Sequence, residues 1–366
     1  MSVFVLMAGG TGGHLFPAMA LAEELRRRGH ILHLMTDHRA GEYGRDFPAR
    51  ETHIVPSATP SIGNPLKFAG AAFTILWGTM VAWGKLRGVK PDAVVGFGGY
   101  PIFPPFLAAR LSGIAGLLHE QNAVMGRANR ALARWASKIA LSFGKTRYAE
   151  PFASKSVLTG NPVRDRVRAV ALTPYPELTA DGPIRLVAFG GSQGARAFAD
   201  FLPPAIAELP AELRARLRIA QQCRPEDLDR VAAAYRAAHV NVELQPFFAD
   251  LPERMSECHL VICRSGASSI AELAVLGRPA ILVPLPGALD ADQRNNALVM
   301  EAAGGGWILE QAQISPLSLA TRLTELLGDP TRLKAAAAAA RALGQPRAVE
   351  QLADLAESLA GREKRP

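Results

Sequence analysis

The sequence predicts an α/β protein built from two Rossmann-like domains that face a central cleft. Three observations carry that prediction. The chain has 366 residues, more than one ordinary core accommodates. It opens with an apolar run at Val3–Met7, a glycine-rich turn and a helical stretch at Phe16–Arg28. The same opening recurs about 180 residues later, where Arg185–Phe189 leads into Gly190-Gly191-Ser192-Gln193-Gly194-Ala195. A composition of 49% hydrophobic and 20% charged residues is that of a soluble globular protein.

The elements follow in order. Gly9-Gly10-Thr11-Gly12-Gly13-His14 forms the first turn, Gly29 stops the helix, and Ile31–Met35 is a second strand ending at Asp37. This is a β-α-β start, yet the G-x-G-x-x-G spacing is not met, because Leu15 stands where its last glycine would fall. Asp92–Gly96 is a further strand, with a second glycine turn at Phe97-Gly98-Gly99-Tyr100. Gly116–His119 ends in the polar cluster His119-Glu120-Gln121-Asn122, at the place where α/β sheets bind ligands. Val157–Thr159 leads to Gly160-Asn161-Pro162-Val163-Arg164, and the Pro-containing segment to Pro183 reads as a linker. Strands in the second half are expected at Ile219–Gln222, Val242–Leu244, Leu260–Cys263 and Ala280–Val283. Leu333–Leu343 and Arg347–Leu359 read as terminal helices. The domains are therefore 1–163 and 164–341, with the helix in about 342–366 packing back on the first.

The net charge of +8 is unevenly spread. Residues 1–163 hold 18 Lys/Arg against 9 Asp/Glu, and residues 164–366 hold 23 against 24. The first half therefore suits an anionic partner, a membrane surface or a nucleic acid, unless it is simply a solvated basic face. Cys223, Cys258 and Cys263 have neither metal nor disulfide spacing, which suits a reducing compartment. The N-terminus reads as a first strand and not as a signal peptide.

Val261–Glu272, V-I-C-R-S-G-A-S-S-I-A-E, is the most informative stretch. A buried strand, a small-residue turn and a helix start make an anion site, since unpaired N–H groups and the helix dipole both favour negative charge. Glu272 stands further into that helix, suited to hydroxyls and not to phosphate. Diphosphate at the turn with ribose on Glu272 is the nucleotide reading; an ordinary strand–turn–helix with a surface glutamate competes with it. His14 follows the first turn at a helix start and is a candidate general base of ordinary pKa, about 6.5. Asp290-Ala291-Asp292 and Asp227-Leu228-Asp229 are D-x-D triplets of the kind that can hold a cation, but they arise easily by chance among 33 acidic residues. No zinc or P-loop pattern occurs.

Residues 68–84 carry no charge, and Lys67, Lys85 and Arg87 flank them. A spanning helix needs about 20 apolar residues, so this stretch is short for one. Phe68, Phe73, Trp77, Met80 and Trp83 between basic flanks suit a helix lying in a membrane interface. A core helix between the domains is the competing reading.

Six motifs occur together and in order: G-G-T-G-G-H (9–14), F-G-G-Y (97–100), H-E-Q-N (119–122), G-N-P-V-R (160–164), G-G-S-Q-G-A (190–195) and R-S-G-A-x-x-x-x-E (264–272). The set resembles the MurG family of bacterial N-acetylglucosaminyltransferases, which make lipid II from lipid I, and it spans about residues 1–300. The resemblance implies an inverting GT-B glycosyltransferase that uses no metal or other cofactor and no nucleic acid. It also implies a cytoplasmic place, peripheral on the inner face of the cell membrane.

Carried over by position, the resemblance places UDP-GlcNAc in the C-terminal domain. Glu272 would bind the ribose hydroxyls, and the backbone at Phe248 the uracil. Ser192 and the amides of Ala267, Ser268, Ser269 and Ile270, with Ala271 beside them and Arg164 assisting, would take the diphosphate. Thr11, Gly12, Gly13, Asn122 and Gln293 would reach the sugar. The pyrophosphate of lipid I, undecaprenyl-pyrophosphoryl-MurNAc-pentapeptide, would meet Gly9, Gly10, Gly98, Gly99 and Tyr100, with His119 and Glu120 beside them. His14 would be the base, and the basic-flanked apolar stretch would meet an anionic membrane. Two departures stand out: the second turn continues Y-P-I-F-P-P, and Gln293 is the only glutamine in Asp290–Asn296, where the family pattern is glutamine-rich.

Two other classes compete. An oxidoreductase or a UDP-GlcNAc epimerase could use both Rossmann-like halves, without needing the apolar stretch. A nucleotide-sugar sensor or membrane scaffold would not need His14 beside three polar loops.

Overall fold

The computed structural model describes residues 1–9, 12–38, 47–59, 63–191 and 195–361, apart from the side chain of Leu289. The chain divides into two compact units, Met1–Arg164 with Arg347–Pro366, and Asp165–Pro346.

Unit 1 runs β1 (Val3–Met7), α1 (Gly12–Arg27), β2 (Ile31–Thr36), β3 (Glu51–Ile54), α2 (Pro65–Val89), β4 (Ala93–Gly96), α3 (Phe103–Leu111), β5 (Ala115–Glu120), α4 (Arg127–Leu132), β6 (Lys138–Leu141) and β7 (Ser156–Leu158). Its strands form one sheet of order β3-β2-β1-β4-β5-β6-β7, parallel throughout. Successive side chains of β1 serve opposite faces. Phe4 and Leu6 pack with Leu15, Leu21 and Leu25 of α1, whereas Val5 and Met7 pack with Ala82, Leu86 and Phe106. A sheet covered on both faces needs strands that are apolar all along, and β1 reads V-F-V-L-M for that reason.

Unit 2 runs α5 (Asp165–Ala169), β8 (Ile184–Phe189), α6 (Arg196–Ala207), α7 (Ala211–Arg216), β9 (Leu217–Gln222), α8 (Leu228–Ala237), β10 (Asn241–Gln245), α9 (Leu251–Glu257), β11 (Leu260–Cys263), α10 (Ala267–Leu276), β12 (Ala280–Leu282), α11 (Asp292–Ala302), β13 (Gly306–Ile308), α12 (Pro316–Leu327) and α13 (Pro330–Ala342). The sheet order is β10-β9-β8-β11-β12-β13, again parallel. Ile184, Leu186 and Ala188 pack with Phe198, Leu202 and Ile206 of α6 and with Leu319 and Leu323 of α12. The final helix, α14 (Ala348–Ala360), belongs to unit 1. Its Leu352, Ala356 and Leu359 join the α1 core, and Arg28 reaches Asp354 at 2.6 Å and Glu357 at 2.7 Å.

Each sheet reverses strand order once, between β1 and β4 in unit 1 and between β8 and β11 in unit 2. Open α/β sheets bind ligands beyond the carboxyl ends of the strands at such a switch point. The glycine turns fall there in both units.

Helix α2 reverses the usual amphipathic pattern. Asn64 caps its start by accepting from the amides of Leu66 and Lys67, and Lys90 ends it in the left-handed region. The buried positions Ala71, Gly78, Thr79, Ala82 and Leu86 recur at helical spacing and are mostly small. A Cβ at Gly78 would stand 2.0 Å from the carbonyl oxygen of Pro56, so only glycine lets the helix approach that closely. The large residues face outward: Phe73 is 71% exposed, Met80 64% and Trp77 52%. At 25 residues the helix is longer than its charge-free stretch, and by length and composition it could cross a membrane.

Candidate functional site

In unit 2 the anion site is built as its parts require. Strand β11 delivers Arg264, whose guanidinium donates to the carbonyls of Val283 and Pro284 and to Gln311 Oε1, fixing the turn that follows. Helix α10 then starts at Ala267, with Gly266 as its cap and no side chain capping it. The Ile270 amide donates to the Gly266 carbonyl and closes the first intrahelical bond. The amides of Ala267, Ser268 and Ser269 precede that bond and remain outside the helical ladder. Ile270 is thus a correction to the expected diphosphate contacts: its N–H is spent within the helix, as is the usual state of an amide beyond the first turn, Ala271 included. Two hydroxyls at the same place, Ser265 Oγ and Ser268 Oγ, are buried without a hydrogen-bond partner within the protein. Uncapped amides and unsatisfied hydroxyls together call for an external acceptor. Glu272 is buried in the next turn of α10.

Two residues that sequence reasoning passed over complete the unit-2 site. Gln222, at the end of β9, accepts from the amide of Gly190 and donates to the carbonyl of Pro246, at 3.1 Å each. It ties the glycine turn after β8 to the loop that carries Phe248. Asn296 of α11 donates to the Ser265 carbonyl at 3.2 Å. A polar residue at the carboxyl end of a buried strand was the available signal for Gln222. Phe248 is itself buried, with the Arg254 guanidinium 4.6 Å from its ring centroid. Gln293 lies in the first turn of α11 and accepts from the Leu285 amide at 3.0 Å. Gly10, Thr11 and Ser192 lie outside the described residues.

In unit 1 the two glycine turns and His14 come together. His14 stands in the first turn of α1, after Gly12 and Gly13. A Cβ at Gly9 would lie 3.4 Å from His14 Nδ1 and 3.6 Å from the Gly99 Cα, so the first turn packs directly on the second. Gly98 (φ 88°) and Gly99 (φ 77°, ψ 157°) take conformations that only glycine adopts readily. Tyr100 follows in a short 3-10 turn, partly exposed. His14 as a residue is only partly exposed, and the protein crowded around its ring disfavours the imidazolium and pulls its pKa down to about 4. The ordinary value expected from sequence is corrected accordingly.

His119 and Glu120 have a different place from the one expected. His119 is fully buried, its Nε2 paired with the Gly160 carbonyl and its Nδ1 with the Gln121 amide. Glu120 accepts from the amides of Asn122 and Gly126 and from Asn129 Nδ2. Burial lowers the His119 pKa to about 4, and burial raises that of Glu120 against those bonds. With their polar atoms committed inward, the pair shapes the loop that presents Asn122 and offers nothing to a pyrophosphate. This corrects the sequence expectation of direct contact. Arg164 ends unit 1 with its guanidinium 5.6 Å from the Phe16 ring centroid.

Comparison with known proteins fits this arrangement. Residues 4–141 match the glycosyltransferase family 28 N-terminal domain and residues 185–357 the glycosyltransferase family 28 C-terminal domain. A "UDP-N-acetylglucosamine--N-acetylmuramyl-(pentapeptide) pyrophosphoryl-undecaprenol N-acetylglucosamine transferase" of Methylobacterium sp. (strain 4-46) is 54% identical over 353 residues, covering 96% of this chain and 95% of that one. The crystal structure of Acinetobacter baumannii MurG superposes with a TM-score of 0.81 at 33% identity, covering 98% of this chain and 100% of that one. The UDP-GlcNAc 2-epimerase of Neisseria meningitidis, at 15% identity and a TM-score of 0.67 over 97% and 99% of the two chains, shares the fold alone. The fold is GT-B, and the chain belongs to glycosyltransferase family 28, within the MurG family of N-acetylglucosamine transferases.

Proposed function

We propose that the chain transfers GlcNAc from UDP-GlcNAc to the C4 hydroxyl of MurNAc in lipid I, with inversion and without a metal, giving lipid II for peptidoglycan synthesis. The observation that carries the reading is the 54% identity, over 96% of the chain, to a transferase whose name states that donor sugar and that acceptor.

Unit 2 takes the donor. The departing diphosphate sits on the amides of Ala267, Ser268 and Ser269 and the hydroxyls of Ser265 and Ser268, where the α10 dipole favours developing charge. Ser192 assists, Glu272 holds the ribose, and the backbone at Phe248, positioned through Gln222, meets the uracil. Gln293 reaches the sugar.

Unit 1 takes the acceptor. Gly9, Gly10, Gly98, Gly99 and Tyr100 receive the pyrophosphate of lipid I, and His14 accepts the proton of the attacking hydroxyl. A histidine held near 4 is neutral, and so able to accept a proton, at every physiological pH. The arriving pyrophosphate then stabilises the imidazolium that forms.

Helix α2 carries the enzyme to its lipid. Its small-residue face keeps it on unit 1, while Phe68, Phe73, Trp77, Met80 and Trp83 enter the interface and Lys67, Lys85 and Arg87 meet anionic headgroups. The protein then acts peripherally on the inner face of the cytoplasmic membrane.

The test is label transfer from UDP-GlcNAc to a lipid I analogue in the presence and absence of EDTA. Transfer in EDTA is expected. Loss of transfer in EDTA would overturn the metal-free step, and UDP-GlcNAc binding without transfer would move the reading to an epimerase.

A further inference from the structure

We propose that His33 and His53, oriented by Glu51, form a binding site for a zinc-class divalent cation at the β2–β3 edge of the unit-1 sheet. Strand β3 is the edge strand, and its register pairs Glu51 with His33 and His53 with Met35. Side chains alternate along a strand, so His33, Glu51 and His53 all stand on the α2 face of the sheet. Among the described residues this is the one group of three potential ligands whose donor atoms lie within 4.8 Å of one another.

The distances fit the chemistry. His33 Nδ1 and His53 Nε2 are 3.2 Å apart, and the rings are inclined by only 9°. Two imidazole nitrogens bound to one tetrahedral zinc at about 2.0–2.1 Å stand roughly 3.3 Å apart. Both histidines are buried, at 8% and 4% exposure, and burial favours the neutral imidazole that ligates metals. Glu51 is exposed and gives the cation a way in.

The histidine pair carries a defect that a cation removes. Two neutral rings facing each other share one N–H···N bond. His53 Nδ1 is enclosed without a hydrogen-bond partner, although it lies 3.3 Å from Glu51 Oε1. When a cation takes the two facing nitrogens, each ring keeps its single proton on its other nitrogen and no net proton is lost. His53 then turns an Nδ1–H toward the Glu51 carboxylate, the outer contact that commonly orients a metal-bound histidine. Water completes the coordination. The Lys85 ammonium of α2 acts on His53 electrostatically and opposes the cation.

The experiment is calorimetric titration of the chelator-stripped full-length protein with Zn²⁺ alone, read together with thermal unfolding. One equivalent per chain and a Zn²⁺-dependent rise in Tm are expected. Glu51→Gln, a change at an exposed side chain, should weaken binding about 10- to 100-fold, the usual effect of losing an outer-shell partner. His53→Ala should abolish both signals, and Lys85→Met should tighten binding. Absence of saturable binding in the wild type, or equal binding by wild type and Glu51→Gln, would overturn the proposal, even where His53→Ala fails to fold.

Discussion

The imidazole of His14 rests against Gly98, so closely that a Cβ on that glycine would stand 3.1 Å from Cδ2 and 3.2 Å from Nε2 of the ring. Gly98 also holds φ at 88°, where a side chain is strained. Gly98→Ala should therefore displace the proposed base and distort the turn proposed for the acceptor while leaving unit 2 untouched. The expected result is a loss of turnover of ~10²–10⁴-fold, the scale of a lost general base, with UDP affinity unchanged. Label transfer measures the first quantity and calorimetry with UDP the second. Turnover near the wild-type level would mean that His14 is not the base.

His119 gives a pH signature. Its Nδ1 accepts from the Gln121 amide, so a proton there would set donor against donor. The folded pKa of about 4 lies below the ordinary 6.5. Between those values the unfolded chain binds the proton more readily than the folded one. The contribution is whole above pH 6.5 and is lost as pH falls toward 4, by about 3 kcal/mol in full. Urea unfolding across that window should show stability rising with pH, and His119→Gln should flatten the slope. An unchanged slope would mean that the histidine is protonated in the folded state.

Much of this was legible in the sequence, for identifiable reasons. Val3–Met7 and Leu260–Cys263 are apolar runs against glycine or serine turns, and periodicity finds such strands easily. Strand β3, E-T-H-I, has only one apolar residue among its four, so no apolar run marks it. The motifs named His14, Glu272 and the turns as candidates. They could not separate residues that touch a ligand from residues that hold the site: His119 and Glu120 stand in a motif, yet their polar atoms point inward. Gln222 stands in no motif, yet it ties two loops together. Which way a side chain turns is decided by hydrogen-bond partners distant in sequence, such as Gly160 for His119.

Glu272 lies in α10 beyond the uncapped turn, the place proposed for the ribose hydroxyls. Glu272→Ala should weaken UDP binding by about 1.5–3 kcal/mol, or roughly 10- to 100-fold, the worth of hydrogen bonds to a charged group. UMP and uridine should lose affinity by the same factor, because they share the ribose. An effect on UDP alone would place the carboxylate on the diphosphate side and overturn the ribose contact.

Helix α2 turns Trp77 and Trp83 outward, at 52% and 43% exposure, with the Arg87 guanidinium 4.7 Å from the Trp83 ring centroid. An indole with a cation beside it suits the headgroup boundary, where the ring enters the acyl region and the charge meets phosphate. Neither tryptophan is part of the buried stripe formed by Ala71, Gly78, Thr79, Ala82 and Leu86, so replacing them should leave folding intact. A Trp77→Glu/Trp83→Glu double variant loses apolar area and gains two charges that anionic lipid repels. Wild type should co-sediment with anionic vesicles and the double variant should not, while both keep the same Tm. High salt should weaken the wild-type interaction only in part, since screening removes the Lys67, Lys85 and Arg87 contribution and leaves the aromatic one. Co-sedimentation of the variant at the wild-type level would remove α2 from the membrane contact and leave the basic surface of unit 1 to account for it.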